Sequence, residues 1–549
     1  MRKNLLALFL MTTFLLPSAS FAQTTVKITP AERKMADEIT ANQLRDYLYY
    51  VASDEMEGRD TPSRGLDLTA KFIGTMLARW GFKPAGDDGT FYQKIELNRA
   101  AINPTATTVT INGQNLAYGT DFIANPTAGT ISNAPLVFGG NGWMIKSKNL
   151  DPLKGVDARG KAVVIYSDNL PRGMTFQELF ASGKQGEDWA DPATYAKQNG
   201  AVGLIFVGTP NVMKNWETLR RQRERSNFTV GKLRQQTSAQ NFPVVYISSQ
   251  AAENLFNGET TNFQQVNTAY GANGAMPTFG FNSSKTASVT VAAQPDTAMT
   301  QNVVALWEGS DPTLKAEMVA IGAHYDHDGV RPNAPGPDKI WNGADDDGSG
   351  TVAVLSIAEA LAKAKTRPKR SILFVWHAGE EKGLWGSEYF NKFPTVDIKN
   401  VVAQLNIDMI GRSKKPGDAN PKNKDLSGEN GIYVIGSEMM SSTLGAITKQ
   451  TNAGFLNLGY DYRYDDPKDT NRFFFRSDHF NYAVNGIPIV FWFDGVHEDY
   501  HQASDSADKI DYAKMEKITR TIFMTLWEIT DLKQRPAVDK QLPPELNQR

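Results

Sequence analysis

The sequence predicts an α/β protein with a mixed, largely parallel central sheet, helices on both faces, and a separate, mostly β inserted domain. Three observations carry this. From about residue 300 onward, short continuous apolar runs alternate with helical segments. Between roughly 125 and 275 a second set of apolar runs appears, and all six histidines lie between His324 and His501.

The runs MVAIGA, SILFVW, VVAQLNI and PIVFWF lack polar alternation, the pattern of strands buried on both faces. Between and after them, 349–365 and 511–532 have helical spacing, and the second segment puts Tyr512, Met515, Ile522, Leu526 and Ile529 near one face. LRDYLYYVAS and LTAKFIGTMLARWGF have the same period and are expected to pack on the main sheet as its opening helices. The insert contains APLVFGG, KAVVIYS, GLIFVG and FPVVYIS, separated by turns rich in Gly, Pro and Asn, and no histidine. The expected division is a targeting segment at 1–22, the opening of the main domain at 23–124, the insert at 125–275, the main domain at 276–535 and a polar tail at 536–549.

Arg2 and Lys3 precede an apolar stretch from Leu5 to Leu16 and a small-residue end at Ala22, which predicts a signal peptide. The mature chain is then exported, periplasmic or secreted. No stable membrane insertion is expected after cleavage, because no other apolar run reaches the length needed to span a bilayer. With no cysteine, stability must come from core packing and bound metal. A net charge of -2 argues against general polyanion binding, so no nucleic-acid partner is expected. The basic cluster RRQRER follows Trp216 and Leu219, is interrupted by Glu224, and reads as the exposed face of a short helix. Nothing in the sequence signals an oligomeric state.

Polar clusters follow the apolar runs: His324-Tyr325-Asp326, the stretch Gly343 to Gly350, His377 with Glu380-Glu381, Asp408, and Tyr500-His501. Sites in open α/β sheets form at the carboxyl ends of strands, where such side chains converge. Imidazoles with several carboxylates suit a pair of zinc ions, and a spare glutamate beside a ligand suits a general base. The aspartates do not form an EF-hand loop, whose first position would fall on Gly343.

GAHYDH, NGADDDGSG, HAGEEKGLWGS, NIDMIGR, RSDHF and DYHQASDSADKID, in this order, resemble metallopeptidase family 28, which includes secreted dizinc aminopeptidases and glutamate carboxypeptidase. ASDEMEGRDTPSRGLDLTAKFI resembles the family's N-terminal segment, while KAVVIYSD and YAKQNGAVGLIFVG resemble the protease-associated domain inserted in some members. The resemblance implies two Zn2+ per chain, one on His324 and Asp408, the other on Glu381 and His501, with Asp346 bridging them. It also implies that Glu380 is the base, that Asp326 orients the His324 imidazole, that Tyr500 hydrogen-bonds the substrate carbonyl, and that the Asp346–Asp347 peptide is cis.

The implied activity is hydrolysis of peptide substrates by a water activated between the two ions. An aminopeptidase fits the acidic surroundings; a carboxypeptidase of the same family is the alternative, with Arg331, Arg472 and Arg476 available for a terminal carboxylate. A metal-free receptor-like protein on the same fold would have lost ligands, and a glutaminyl-cyclising enzyme with one zinc would not need Asp346. Residues 497–501, HEDYH, spell the zincin motif. The Asp494-Gly495 turn before it and Asp499, Ser504, Asp505 and Ser506 around it favour a loop, which leaves His501 as a lone ligand and His497 as none.

Overall fold

The computed structural model describes residues 26–168, 170–171, 173–233, 242–272 and 276–546; the expected signal segment at 1–22 lies outside them. The chain divides into two compact units, one formed by residues up to Lys94 together with those from Gln301 onward, the other by Ile95–Thr300.

The first unit is built on strands β1 (Ala293–Trp307, entering this unit at its second half), β2 (Met318–His324), β3 (Ser371–His377), β4 (Val401–Ile407), β5 (Gly431–Ile435), β6 (Gly459–Asp461) and β7 (Ile489–Phe493). They run side by side in the order β1-β3-β2-β4-β7-β5-β6. The central pairs β3/β2, β2/β4 and β4/β7 are parallel, whereas β1/β3 and β7/β5 are antiparallel. The four apolar runs read from the sequence are the four central strands. Their lack of polar alternation has a direct cause: in β2, Val319, Ile321 and Ala323 enter one core while Met318 and Ala320 enter the other.

The first core lies beneath helices α2 (Ala41–Val51), α3 (Arg64–Arg79), α4 (Gly350–Lys363) and α8 (Tyr512–Asp531), which follows α1 (Pro30–Ala36), α5 (Trp385–Lys392), α6 (Ser442–Gly454) and α7 (His479–Val484) in the chain numbering. Each start has a local reason. Thr40 and Gln43 form a reciprocal capping box at α2, Ser63 caps α3 through Leu66 N, and Asp511 caps α8 through Lys514 N. In α2, Leu44, Leu48 and Val51 recur at helical spacing and are buried. The other core contains Phe390 of α5 and Phe480 and Tyr482 of α7. Within the expected polar tail, Leu546 is buried in this second core, and Asp539 accepts a 2.8 Å hydrogen bond from Ser442 N.

The second unit has its own sheet and cores. Gly129–Gly139, Ala162–Tyr166, Gly203–Val207 and Val244–Ile247 are successive parallel neighbours. These are the four apolar runs of the expected insert. The unit is wider than 125–275, because Thr108–Ile111 and Phe122–Ala124 on one side and Thr286–Val291 on the other pair into the same sheet. Helices Ser249–Phe256 and Phe263–Gly271 also contribute buried apolar residues. The basic cluster begins inside helix Trp216–Arg223, where Arg220 and Arg221 reach Glu217 at 2.7 and 3.0 Å.

Candidate metal centre

The carboxyl ends of β2, β3, β4 and β7, with the stretch before α4, bring together the residues that the family resemblance implies as ligands and base. His324 is the last residue of β2, Asp408 follows β4, Glu380 and Glu381 follow β3, and Tyr500 and His501 lie in the turn after β7. Asp346 arrives from the stretch before α4, and its peptide bond to Asp347 is cis.

Two donor groups share Asp346. In the first, His324 Nε2 lies 3.3 Å from Asp346 Oδ1 and 3.7 Å from Asp408 Oδ1. In the second, His501 Nε2 lies 3.1 Å from Asp346 Oδ2 and 3.3 Å from Glu381 Oε2. A further imidazole that the sequence reading passed over, His327, is fully buried with Nδ1 2.8 Å from Glu381 Oε1. His324 Nε2, His327 Nδ1 and Glu381 Oε1 are buried without a hydrogen-bond partner among the described residues. Convergent nitrogen and oxygen donors that satisfy no protein partner are what a zinc site requires, so the residues fit that ion. His324 with Asp346 and Asp408, and His327 with Asp346 and Glu381, are the resulting candidate metal-binding groups.

A framework of buried polar contacts fixes these donors. His324 Nδ1 lies 3.1 Å from the Asp326 carbonyl and 3.7 Å from its carboxylate, so the carbonyl takes the ring proton and Nε2 is left to face the cluster. The Asp326 carboxylate instead accepts from Glu380 N at 3.1 Å, which positions the glutamate pair. Asp347 accepts from the backbone N–H groups of His324, Gly350 and Met409 at 3.2, 2.9 and 3.1 Å, linking two strand ends to the start of α4. Asp505 accepts from Asp345 N and Asp346 N, at 3.0 and 3.1 Å. Gly343, at φ 54°, makes the turn into Asp346; a Cβ there would stand 2.2 Å from the Asp346 carbonyl and 2.4 Å from His327 Cγ.

Arg59, the second residue the sequence reading did not assign, is completely buried and donates to the carbonyls of Val51, Tyr325, Asn342 and Gly343 at 2.7 to 2.9 Å. It thereby ties the segment between His324 and His327 to the turn before Asp346. Its only trace in the sequence is the GRD of ASDEMEGRD, more than two hundred positions from the donors.

The charges follow from this packing. Burial pushes Glu380 well above the ordinary carboxylate range; His324 opposes this, and repulsion from Glu381 and Asp408 adds to it. Burial acts the same way on Asp346, but hydrogen bonds from His324 and His501 and the nearby His327 outweigh it and hold that carboxylate well below its usual value. Burial disfavours charge on His501, yet Asp346 and Glu381 raise it to about 9.

Tyr500 stacks on His501 with ring centroids 4.0 Å apart, and its hydroxyl accepts from Arg476 Nη2 at 3.0 Å. Beside it, Met409, Phe473, Phe491, Phe493 and Val496 form the apolar wall of a small pocket that Asp346, Glu380, Asp408, Arg476 and Tyr500 also line.

The other histidines are elsewhere. His497 Nε2 meets Asp345 Oδ2 at 3.2 Å inside a buried network with Arg412 and Asp499, and Glu498 contacts Asn420 and Asn423 at the surface. Residues 498–501 form a turn with His501 at φ 54°, so HEDYH is no helix. His479 stacks on Phe491 at 4.4 Å, and burial lowers it to about 3.

Residues 302–526 match the family model described as peptidase family M28. Over this segment the chain is similar to that family. A probable leucine aminopeptidase of Arthroderma otae is 29% identical over 228 residues, 40% of this chain and 56% of its own length. Leupeptin-inactivating enzyme 1 of Streptomyces exfoliatus is 30% identical over 211 residues, 38% of this chain and 38% of its own length. The chain therefore spans about half or less of these M28-region relatives. Among solved structures, an aminopeptidase from Aneurinibacillus sp. strain AM-1 is 17% identical, covering 94% of this chain and 98% of that one at a TM-score of 0.47.

Proposed function

We propose that this chain is a zinc-dependent exopeptidase, an aminopeptidase that removes apolar N-terminal residues from peptides with two Zn2+ bound. The observation that carries the reading is the pair of donor groups sharing Asp346, with Glu380 beside them but 3.9 Å from His324 Nε2 and in neither group. His324 and Asp408 would hold one ion, Glu381 and His501 the other, and Asp346 both. Zinc held there supplies a Lewis acid and an acidified water.

The chain's own groups do the rest. Glu380, which burial and its acidic neighbours make a willing proton acceptor, takes a proton from the attacking water and returns it to the leaving amine. The Tyr500 hydroxyl donates to the developing oxyanion and is oriented by Arg476. The pocket of Met409, Phe473, Phe491, Phe493 and Val496 takes the side chain of the residue being removed and keeps water from it. The carboxylates facing that pocket favour a substrate ammonium.

A carboxypeptidase is the second reading, favoured by one observation: Arg476 lines the same pocket. Arg331 and Arg472 lend it less, since they lie over Trp341 and Phe475. The test is turnover of leucyl and phenylalanyl amides against their N-acetylated forms and against aspartyl and lysyl amides. Cleavage of the free apolar amides alone supports the aminopeptidase reading; preference for N-blocked peptides with a free carboxylate would replace it with the carboxypeptidase. Glu380→Gln should lower turnover about 100-fold or more with metal content unchanged.

A further inference from the structure

The two donor groups are unequal. Around the first stand three side chains, His324, Asp346 and Asp408. Around the second stand four, because His327 Nδ1 comes within 2.8 Å of Glu381 Oε1 and 3.9 Å of Asp346 Oδ2, on the same side as His501. The His327 and His501 rings are 5.7 Å apart and nearly perpendicular, at 81°, so neither blocks the other.

A hydrogen bond to Glu381 would be the ordinary use of such a histidine, and the 2.8 Å separation suits one. The direction does not. Among the described residues neither His327 Nδ1 nor Glu381 Oε1 has a partner in hydrogen-bond geometry, so the oxygen stands off the line of the ring nitrogen. Donors on one tetrahedral ion point at the ion rather than at each other, which produces this combination of short distance and poor alignment. His327 Nε2 is also buried, and no described residue makes an outer hydrogen bond to it that would compete for the ring's orientation.

Resting on the two-metal reading above, we propose that His327 is a further ligand of the metal held by Asp346, Glu381 and His501. That site then has four protein donors and is closed, whereas the site of His324, Asp346 and Asp408 has three and keeps an open position. The functional division follows from the count. The closed site anchors the cluster, and the open one, beside Glu380, is where a water or the substrate enters.

Two measurements on the full chain test this. A crystal structure of the zinc-loaded protein should have His327 Nδ1 about 2.0 to 2.1 Å from one ion. Two ions with His327 Nδ1 more than about 3 Å from both would overturn the proposal alone; fewer than two ions would overturn it together with the two-metal reading. His327→Gln retains an amide that can donate a hydrogen bond to Glu381 but is a poor zinc ligand. Titration of the metal-depleted variant with zinc against a competing chelator should find one site weakened by more than about 100-fold, beyond the usual 10- to 100-fold cost of an outer hydrogen bond, and the other unchanged. A smaller loss would assign His327 to positioning Glu381.

Discussion

At the scale of single residues, the bridging position makes the sharpest demand. Asp346 Oδ1 faces His324 and Oδ2 faces His501, so on the proposed two-metal reading Asp346→Ala should reduce zinc content at both sites, from about two ions per chain to well below one by elemental analysis. An ion retained at full occupancy in that variant would contradict the shared carboxylate. The HEDYH stretch supplies the control. His497 Nε2 lies 3.2 Å from Asp345 Oδ2 and beside neither donor group, so His497→Ala should leave zinc content unchanged. Glu498→Gln at the surface should leave turnover within about tenfold of the parent, in contrast to Glu380→Gln. His324 and Asp408 stand at the ends of apolar runs and Asp346 lies shortly before a helix, which made them candidates, whereas the ligand roles of all five, Glu381 and His501 included, were implied by the family resemblance. His327 was not, because nothing in GAHYDH tells a third residue past a strand end whether it turns inward. Arg59 was illegible for a different reason: a guanidinium that serves four backbone carbonyls leaves no side-chain partner to find in the sequence.

At the scale of elements, helix α8 carries a titratable group on its way into the core. Partial burial raises Glu528 from its ordinary value to about 7, and repulsion from Glu32 of α1 and Asp531 adds to this against a weaker pull from Lys369. The sign follows from proton binding. Between about pH 4.5 and 7 the folded chain holds this proton more tightly than the unfolded chain, so the contribution is present at low pH and is lost as pH rises through 7. Glu528→Gln should therefore raise Tm at pH 8, change it little at pH 4.5, and flatten the slope between them; an equal shift at both pH values would remove the charge from the explanation. This helix was readable in advance, since Tyr512, Met515, Ile522, Leu526 and Ile529 repeat along one face and all are buried. The short strands bordering the second unit were not. Thr108–Ile111 and Thr286–Val291 alternate over only 4 and 6 residues, enough to suggest a strand but not which sheet it joins.

At the scale of the whole molecule, the chain builds two units that bury separate sets of apolar side chains, and only one of them contains histidine. The segregation was visible in the sequence, where histidine is missing before position 324 and present throughout the later motifs. The boundary was not, since it falls inside one strand, Ala293–Trp307, rather than in a loop or linker. The division has a thermodynamic consequence. A ligand that binds one folded unit stabilises that unit by mass action, by about 2.7 kcal/mol when its concentration is one hundred times its Kd. All the donors, from His324 to His501, belong to the first unit. Differential scanning calorimetry of the metal-depleted chain should therefore resolve two transitions, and added zinc should move one of them upward while leaving the other in place. Asp346→Ala should abolish that shift without altering the unmoved transition. A single transition that rises as a whole with zinc would mean that the two cores melt as one cooperative unit, and the metal would then stabilise residues 95–300 as much as the sheet that holds it.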